Sequence, residues 1–416
     1  MVERERCEVT QCHKKKVLIV AMSMHIGGAE RSLINLLSLM DYNKFRIDLL
    51  LFKQQGAFLS EIPSEVKVIS APELETLYGA HHHRKISAAK KLSISLRRYL
   101  GTCFSWLKEK QFDRRRIERW EKWYAEAVPP LDGLYDVAVA YSAGEVMYYC
   151  IDKVRARRQV VVFHSDYSCI DIDLERELCY LERENSILSV SEQCVDSLKT
   201  LFPCIAEKVH LFKNPSSVAQ IKKRANEMLA DCWSSTDALH IVAIGRLHKI
   251  KNHALAIRAV DIVAQKRPGR IELVIVGDGP EYYRLKQLIG ELELQEVVTL
   301  LGSRDNPYPY LACSDLLLHT SYFEGSPMVL DEAALLSKPV VSVRYPSVED
   351  KISHGVNGLI SESNATELAE CLLEIVDNRE ILTHLTSNIN RMDFSAFEDI
   401  SDFLDALDPE TKHNAA

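Results

Sequence analysis

An α/β fold built from two doubly wound parallel domains is predicted by three observations. The chain has 416 residues, more than one core usually holds, which suggests two domains of about 200 residues each. Short β-branched runs alternate with longer helical patterns, as in parallel strands joined by crossover helices. The runs also fall into two series. The first holds Val17-Leu-Ile-Val-Ala21, Ile47-Asp-Leu-Leu-Leu-Phe52, Val66-Lys-Val-Ile69, Val137-Ala-Val-Ala140, Val160-Val-Val-Phe163 and Ile187-Leu-Ser-Val190. The second holds His240-Ile-Val-Ala-Ile244, Glu272-Leu-Val-Ile-Val276, Val297-Val-Thr-Leu-Leu301, Leu316-Leu-Leu-His319 and Val340-Val-Ser-Val343. Domains of this kind collect ligands at the C-terminal ends of their strands.

The expected boundaries follow. Residues 1–215 form the first domain, with a hinge at Asn214-Pro215-Ser-Ser217. Residues 216–390 form the second, and 391–416 hold a C-terminal helix returning to the first domain. A composition of 47% hydrophobic and 26% charged residues is that of a soluble globular protein. The net charge of −8 argues against a general nucleic-acid binder. The 11 cysteines are odd in number and include no C-x-x-C pair, against a disulfide framework or a zinc site. That usage suits a reducing compartment. The start, Met1-Val-Glu-Arg-Glu-Arg-Cys7, lacks the apolar core of a signal peptide. No run of ~20 apolar residues is present to span a bilayer. The expected location is cytoplasmic.

One segment, about 81–123, interrupts the alternation. It carries Arg84, Lys85, Lys90, Lys91, Arg97, Arg98, Lys108, Lys110, Arg114, Arg115, Arg116 and Arg119. Ala89, Leu92, Leu96, Leu100, Cys103 and Leu107 recur at helical spacing, and Trp106, Trp120 and Trp123 add interfacial aromatics. Two readings stay open: an amphipathic helix for an anionic membrane face, or a solvated helix packing its apolar stripe on the sheet. The His81-His82-His83 run reads as a loop rather than a metal site.

The chemistry concentrates at strand ends. In Ser321-Tyr-Phe-Glu324-Gly-Ser-Pro-Met-Val-Leu-Asp-Glu332, one carboxylate sits in a loop and the second in an apolar helix. Ser326 is a good N-cap and Pro327 suits the first helical position. A carboxylate in such a helix costs free energy unless something hydrogen-bonds it, and a polyhydroxylated ligand would do so. The free N–H groups at the helix start suit an anion.

Ile244-Gly245-Arg246-Leu-His-Lys-Ile-Lys251 places two cations after a strand, Arg as a planar fork and Lys as a point charge, a pairing suited to a diphosphate. Gly27 and Gly28, between a strand and a helix, permit close approach to a phosphate or sugar. Asp48 lies at the spacing a dinucleotide site uses, but the third glycine is missing. Val276-Gly277-Asp278-Gly279-Pro280 reads as a structural turn, and Gly302 could let a base approach the backbone. His164, at another strand end, could meet a sugar, with Asp166 and Asp171 available to orient an acceptor.

Taken in order, Gly27-Gly28-Ala-Glu30, Gly245-Arg246 with Lys251, Glu324 with Glu332, and Lys338-Pro339-Val340-Val341 resemble the retaining GT-B glycosyltransferases of glycosyltransferase family 4, of the capsule or exopolysaccharide type. The resemblance runs from Val17 to about Leu382 and implies two Rossmann-like domains facing each other across a cleft. It implies that Arg246 and Lys251 hold the donor diphosphate, Glu332 the ribose hydroxyls and Glu324 those of the transferred sugar. Gly325, Ser326, Pro327, Met328 and Val329 would line the donor oxygens, Gly27 and Gly28 the pyrophosphate, and Gly302 the base. His164 would contact the sugar, which makes His164, Arg246, Lys251 and Glu324 the expected catalytic set. No metal and no cofactor are implied, the nucleotide sugar being a substrate.

Family frequency favours a UDP-sugar, transferred to a lipid-linked or polysaccharide acceptor by a protein peripheral to the inner membrane face. The chain departs from the family pattern at Asn214-Pro215, where proline cannot take the positive φ of the usual glycine. A nucleotide-sugar epimerase of similar fold and a non-catalytic sugar-nucleotide-binding subunit are the competing readings.

Overall fold

The computed structural model describes residues 14–79, 86–108, 112–227, 233 and 237–409. The first sheet comprises β1 (Lys15–Ala21), β2 (Phe45–Leu51), β3 (Lys67–Ile69), β4 (Tyr135–Ala140), β5 (Ala156–Phe163), β6 (Ser186–Ser189) and β7 (Val209–Leu211). The second comprises β8 (Leu239–Ile244), β9 (Ile271–Val276), β10 (Val298–Gly302), β11 (Leu316–His319), β12 (Val340–Val343) and β13 (Gly358–Ser361). Their orders are β3-β2-β1-β4-β5-β6-β7 and β10-β9-β8-β11-β12-β13, with parallel pairing throughout. Both are therefore doubly wound.

The β-branched runs lack polar alternation because both faces of each sheet are covered. Along β1, Leu18 and Val20 join one core while Val17 and Ile19 join the other. In the second domain Ile241 and Ala243 face one layer and Val242 the opposite one. The strands β7 and β13 lay outside the expected series. They are edge strands, three and four residues long, respectively, at the ends of their sheets.

The chain order reverses between β1 and β4 and again between β8 and β11. Those two switch points fix where a ligand-sized crevice opens at each sheet. The loops that leave β1, β5, β8 and β11 carry Gly27, His164, Arg246 and Glu324 in turn. At the hinge, Ser32 Oγ donates to Asn214 Oδ1 at 2.7 Å and Asn35 Nδ2 donates to the Pro215 carbonyl at 2.9 Å. Asn214 and Pro215 thus dock on the helix Gly28–Leu39 without needing a positive φ.

The C-terminal segment crosses at the same place. Ser216 N donates to the Phe397 carbonyl at 2.7 Å, and Val218 N donates to Glu398 Oε1 at 2.9 Å. The final helix, Ser401–Leu407, then packs on the first sheet. Its Phe403 is fully buried, 5.5 Å centroid to centroid from Phe212, and Arg158 Nε donates to the Ala406 carbonyl at 2.5 Å.

The insertion between β3 and β4 corrects the sequence reading. It contains the helices Ala88–Lys108 and Phe112–Arg119 and a π-type turn at Trp120–Tyr124. The stripe Leu92, Leu96 and Leu107 does not pack on the sheet; these residues are 71%, 54% and 72% exposed, while Ile94 faces the core. The reason is steric. On the Ile94 side Gly101 lets the helix approach so closely that a Cβ there would stand 2.9 Å from Trp123 Cβ.

Nor are all three tryptophans interfacial. Trp120 is fully buried and its Nε1 donates to Asp152 Oδ2 at 2.9 Å, while Trp123 stacks on Phe104. Several insertion cations are spent on ion pairs, among them Arg114 with Asp171 at 2.6 Å and Arg119 with Glu145 at 2.5 Å. The His81-His82-His83 run, Arg84, Lys85 and Lys110 lie outside the described residues.

Phe403 packs against Phe212, 191 positions earlier in the sequence, so the contact closes a long loop. Phe403→Ala should lower unfolding free energy by about 3–5 kcal/mol. Chemical denaturation of the two proteins checks this, and a change below about 1 kcal/mol would contradict the packing.

Candidate functional site

The loop leaving β11 is built around a buried carboxylate. Glu324 is paired with Lys251 Nζ, accepts from Ser321 Oγ at 2.6 Å, and stands 3.5 Å from His319 Nε2. Burial pushes its pKa up, but His319 and Lys251 outweigh that and bring it down to about 2. Burial also lowers the His319 pKa, so the imidazole is neutral near pH 7 and Lys251 carries the balancing charge. The sequence reading left Glu324 waiting for ligand hydroxyls. Its own chain already supplies a cation and a hydroxyl.

Lys251 reaches that position because two loops are stitched together. Thr320 Oγ1 donates to the Lys251 carbonyl at 3.0 Å, and Tyr322 N donates to the Ile250 carbonyl at 2.9 Å. The turn Lys249–Lys251 ends at Asn252 in the left-handed region, φ 49, which asparagine tolerates better than most residues. Beneath it runs the turn after β9. A Cβ on Gly277 would stand 1.9 Å from the Gly245 carbonyl oxygen, and one on Gly279 would stand 2.5 Å from that of Leu247. These glycines let one strand-end turn support the other, which carries exposed Arg246. Gly302 ends β10 with φ 74, its carbonyl accepting from Gly277 N at 3.0 Å.

The second carboxylate is anchored separately. The helix is Met328–Leu335, with Pro327 at its N-cap and no side-chain cap bond. Pro327 keeps an extended backbone, ψ 111, so the helical turn begins at Met328 and Ser326 falls one position before the cap. The N–H groups of Met328 and Val329 fall in the first turn, where the helix offers them no acceptor.

Glu332, one further turn along, is buried and accepts from Tyr308 Oη at 3.0 Å. Burial raises its pKa, against the pull of Arg31 and the Tyr308 hydroxyl. Arg31 belongs to the first domain. It pairs with Glu61 at 2.5 Å, and Glu61 also takes Arg224 of the second domain at 2.8 Å. Arg31–Glu61–Arg224 is thus an ion bridge between domains beside Glu332.

Facing these groups is the first domain. Helix Gly28–Leu39 starts with Gly27 at its N-cap, and the Glu30 carboxylate folds back so that a Cβ on Gly27 would meet it at 2.3 Å. Gly28 faces open space, with nothing within 4 Å of such a Cβ. Burial raises the Glu30 pKa, offset by its own backbone N–H and by Arg246 across the cleft.

His164 packs on Tyr141 with ring centroids 4.9 Å apart. Both of its ring nitrogens are buried and lack a hydrogen-bond partner among the described residues, and burial pushes its pKa down to about 4. The two domains touch here, since a Cβ on Gly325 would stand 2.7 Å from the His164 carbonyl oxygen.

Asp166 and Asp171, the residues read as available to orient an acceptor, both have partners within the chain. Asp166 is buried and caps its own turn, accepting from Ser168 N at 2.9 Å and Ser168 Oγ at 2.7 Å, while Asp171 pairs with Arg114. Tyr167 and Tyr148 donate to buried Glu177 at 2.7 and 2.5 Å and fix the loop from below.

The structure thus brings Gly27, Gly28, His164, Arg246, Lys251, Glu324, Gly325 and Glu332 to facing strand ends. Sequence reasoning missed Ser321, His319, Tyr308, Arg31, Glu61 and Arg224. His319 had left a signal, a polar residue closing the apolar run Leu316-Leu-Leu. Among the described residues no group of three His, Cys, Asp or Glu is placed to hold a metal ion.

Comparison with known proteins fits this geometry. Residues 234–392 match the family model described as glycosyl transferases group 1. A Campylobacter jejuni N-acetylgalactosamine-N,N'-diacetylbacillosaminyl-diphospho-undecaprenol 4-alpha-N-acetylgalactosaminyltransferase is 35% identical over 39% of this chain and 42% of its own length. The Erwinia amylovora amylovoran biosynthesis glycosyltransferase AmsK is 30% identical over 54% of this chain and 56% of its own. The chain therefore matches about half the length of these relatives or less.

Two solved structures align along nearly the whole chain. Anabaena HepE in complex with UDP-glucose has a TM-score of 0.65 at 19% identity, covering 96% of this chain and 99% of that one. A glycosyltransferase from Rickettsia africae has a TM-score of 0.63 at 14% identity, covering 96% and 99%. With the seven- and six-stranded parallel sheets, these likenesses establish the GT-B fold.

Proposed function

We propose that the chain is a retaining hexosyltransferase of the family 4 kind, moving a sugar from a nucleotide sugar to a lipid-linked or polysaccharide acceptor. The observation that carries this reading is the Lys251–Glu324 pair beside Arg246, opposite Gly27, Gly28 and His164. Cations suited to a diphosphate and a fixed carboxylate suited to sugar hydroxyls lie at adjoining strand ends, as transfer from a nucleotide sugar requires. A UDP-sugar is the favoured donor, in keeping with the UDP-glucose held by Anabaena HepE. A lipid-linked acceptor accords with the diphospho-undecaprenol in the name of the Campylobacter relative, and a polysaccharide with amylovoran synthesis. Acceptors of that kind are in keeping with a protein that acts in the cytoplasm, at the inner membrane face.

In this mechanism the bond from the anomeric carbon to the diphosphate oxygen breaks, and Arg246 and Lys251 neutralise the departing charge. The acceptor hydroxyl attacks from the same face, forming the new glycosidic bond and passing its proton to the leaving phosphate oxygen. Glu324 holds the sugar hydroxyls. Glu332 exchanges its Tyr308 partner for the ribose, and the N–H groups at the start of helix Met328–Leu335 receive donor oxygens. His164, kept neutral by burial, contributes a hydrogen bond rather than a charge. No metal is required in this scheme, so activity should survive chelation by EDTA.

Three measurements test the reading. UDP-sugars should raise the melting temperature more than GDP-, ADP- or TDP-sugars, since binding to the folded state stabilises it. Release of UDP should require an acceptor; an epimerised nucleotide sugar formed without one would overturn the proposal. Arg246 is exposed, so Arg246→Ala should fold normally yet lose about two to three orders of magnitude in kcat. Unchanged turnover would remove Arg246 from the diphosphate site.

The carboxylate has its own signature. A pKa depressed from 4.5 to about 2 adds stability that is present above 4.5 and lost as pH falls toward about 2. The stability advantage of the native protein over Glu324→Gln should therefore shrink across that interval in urea titrations. A difference independent of pH would mean that the Lys251 pairing does not hold Glu324 ionised.

A further inference from the structure

Glu332 draws its main electrostatic support from outside its own domain. The carboxylate is 7% exposed, and among the described residues its one hydrogen bond comes from Tyr308 Oη at 3.0 Å. Burial favours the neutral acid. The strongest opposing influence is the Arg31 guanidinium of the facing domain, ahead of the Tyr308 hydroxyl and Arg224, while Asp331 works the other way. Asp331 is itself taken up by Lys351 at 2.6 Å.

Arg31 supplies that influence from a fixed position. It lies in the first turn of helix Gly28–Leu39, is buried, and meets Glu61 through both terminal nitrogens, Nη1 at 2.5 Å and Nη2 at 3.3 Å. Its guanidinium also lies over the Phe58 ring, 3.9 Å from the centroid. The charge is permanent, because a guanidinium keeps its proton at any working pH. From the second domain Arg224 joins Glu61 at 2.8 Å and lies over the Tyr308 ring at 5.6 Å. Two cations and two carboxylates from facing domains therefore gather about Tyr308.

Bridging alone does not explain Arg31. Arg224 with Glu61 already ties the domains together, and Arg31 belongs to the same domain as Glu61. Burying a further guanidinium there costs hydration free energy unless its charge is used. What that charge faces across the boundary is Glu332.

We propose that Arg31 is a positioning residue of the donor site, holding Glu332 from the opposite domain as the carboxylate that accepts from the ribose hydroxyls of a nucleotide. This role rests on the transfer reading for its ribose. An ionised carboxyl accepts at both oxygens, whereas the neutral acid turns one of them into a donor. Arg31 also shares its helix with Gly28, so one helix start serves the diphosphate and the ribose together.

Calorimetric titration with UDP and with inorganic diphosphate, between about pH 5 and 8, tests this on the native protein, Arg31→Met, Arg31→Lys and Glu61→Gln. Arg31→Met keeps an apolar contact with Phe58 and removes the charge. Its UDP dissociation constant should rise about tenfold at the acid end, the effect of a one-unit pKa displacement, and converge on the native value as pH rises. Arg31→Lys should restore most of the loss. Glu61→Gln leaves both cations to Glu332 and should move the profile to lower pH. Inorganic diphosphate has no ribose and should show no such pH-dependent difference. A loss equal at every pH, or one shared by diphosphate, would overturn the proposal. Circular dichroism verifies folding, and if Arg31→Met does not fold, the direction of the Glu61→Gln displacement decides.

A stability measurement separates this role from the donor reading. The Glu332 pKa is raised above 4.5 by burial, so stability is fully present below 4.5 and is lost as pH rises toward the folded value. Glu332→Gln should therefore gain on the native protein over that interval in urea titrations. In an Arg31→Met background the gain should continue to higher pH. An unmoved gain overturns the proposal whether or not UDP binds. A displaced gain in a protein that binds no UDP supports the Arg31–Glu332 coupling and counts against the nucleotide-sugar reading.

Discussion

The arrangement of the cleft depends on keeping one buried carboxylate charged. Glu324 sits where burial alone would favour its neutral form, and His319 and Lys251 together reverse that. Two partners act this strongly because water is largely excluded. To put Lys251 there, the loops after β8 and β11 must run side by side, which the Thr320–Lys251 and Tyr322–Ile250 bonds accomplish. That in turn needs Gly277 and Gly279 beneath, since any side chain would strike the Gly245 or Leu247 carbonyl. One electrostatic requirement thus propagates through two loops into a third.

The second constraint is how the two domains are held. The chain crosses twice at one point, through Asn214–Ser217 and again near Phe397, and the Ser216–Phe397 bond ties the crossings together. A double crossing resists twisting better than a single linker and leaves hinge closure as the easier motion. Away from the hinge the domains also meet where Gly325 approaches His164, where Arg224 pairs with Glu61, and where Lys213 faces Asp331 and Asp350.

Much of the fold and part of the site were legible in the sequence. Strands buried on both faces announce themselves as uninterrupted β-branched runs, and the loops after them are where chemistry collects. What remained illegible involved partners distant in sequence. Nothing near Glu332 points to Tyr308 or Arg31, and nothing in Trp120 tells a core indole from an interfacial one. Helix Ala88–Lys108 shows the limit of periodicity most clearly. Its leucine stripe was evident, but which side is covered depended on Gly101 meeting Trp123, a contact between separate segments. The acidic C-terminal helix concealed its anchoring for a similar reason, one phenylalanine outweighing several charges.

The charges of the cleft also bear on how an anionic donor would enter it. Arg246 faces Glu30, Lys251 is held by Glu324, and Arg31 and Arg224 share Glu61. The cleft is balanced rather than basic. A bare cluster of cations would repel itself and weaken the folded state, whereas paired cations stay fixed in position at little cost. A diphosphate arriving here would replace one anion by another around cations already in place, so little reorganisation is needed. Of the carboxylates paired in this way, Glu324 is an acceptor that the hydroxyls of a bound sugar could meet once a phosphate takes its cation.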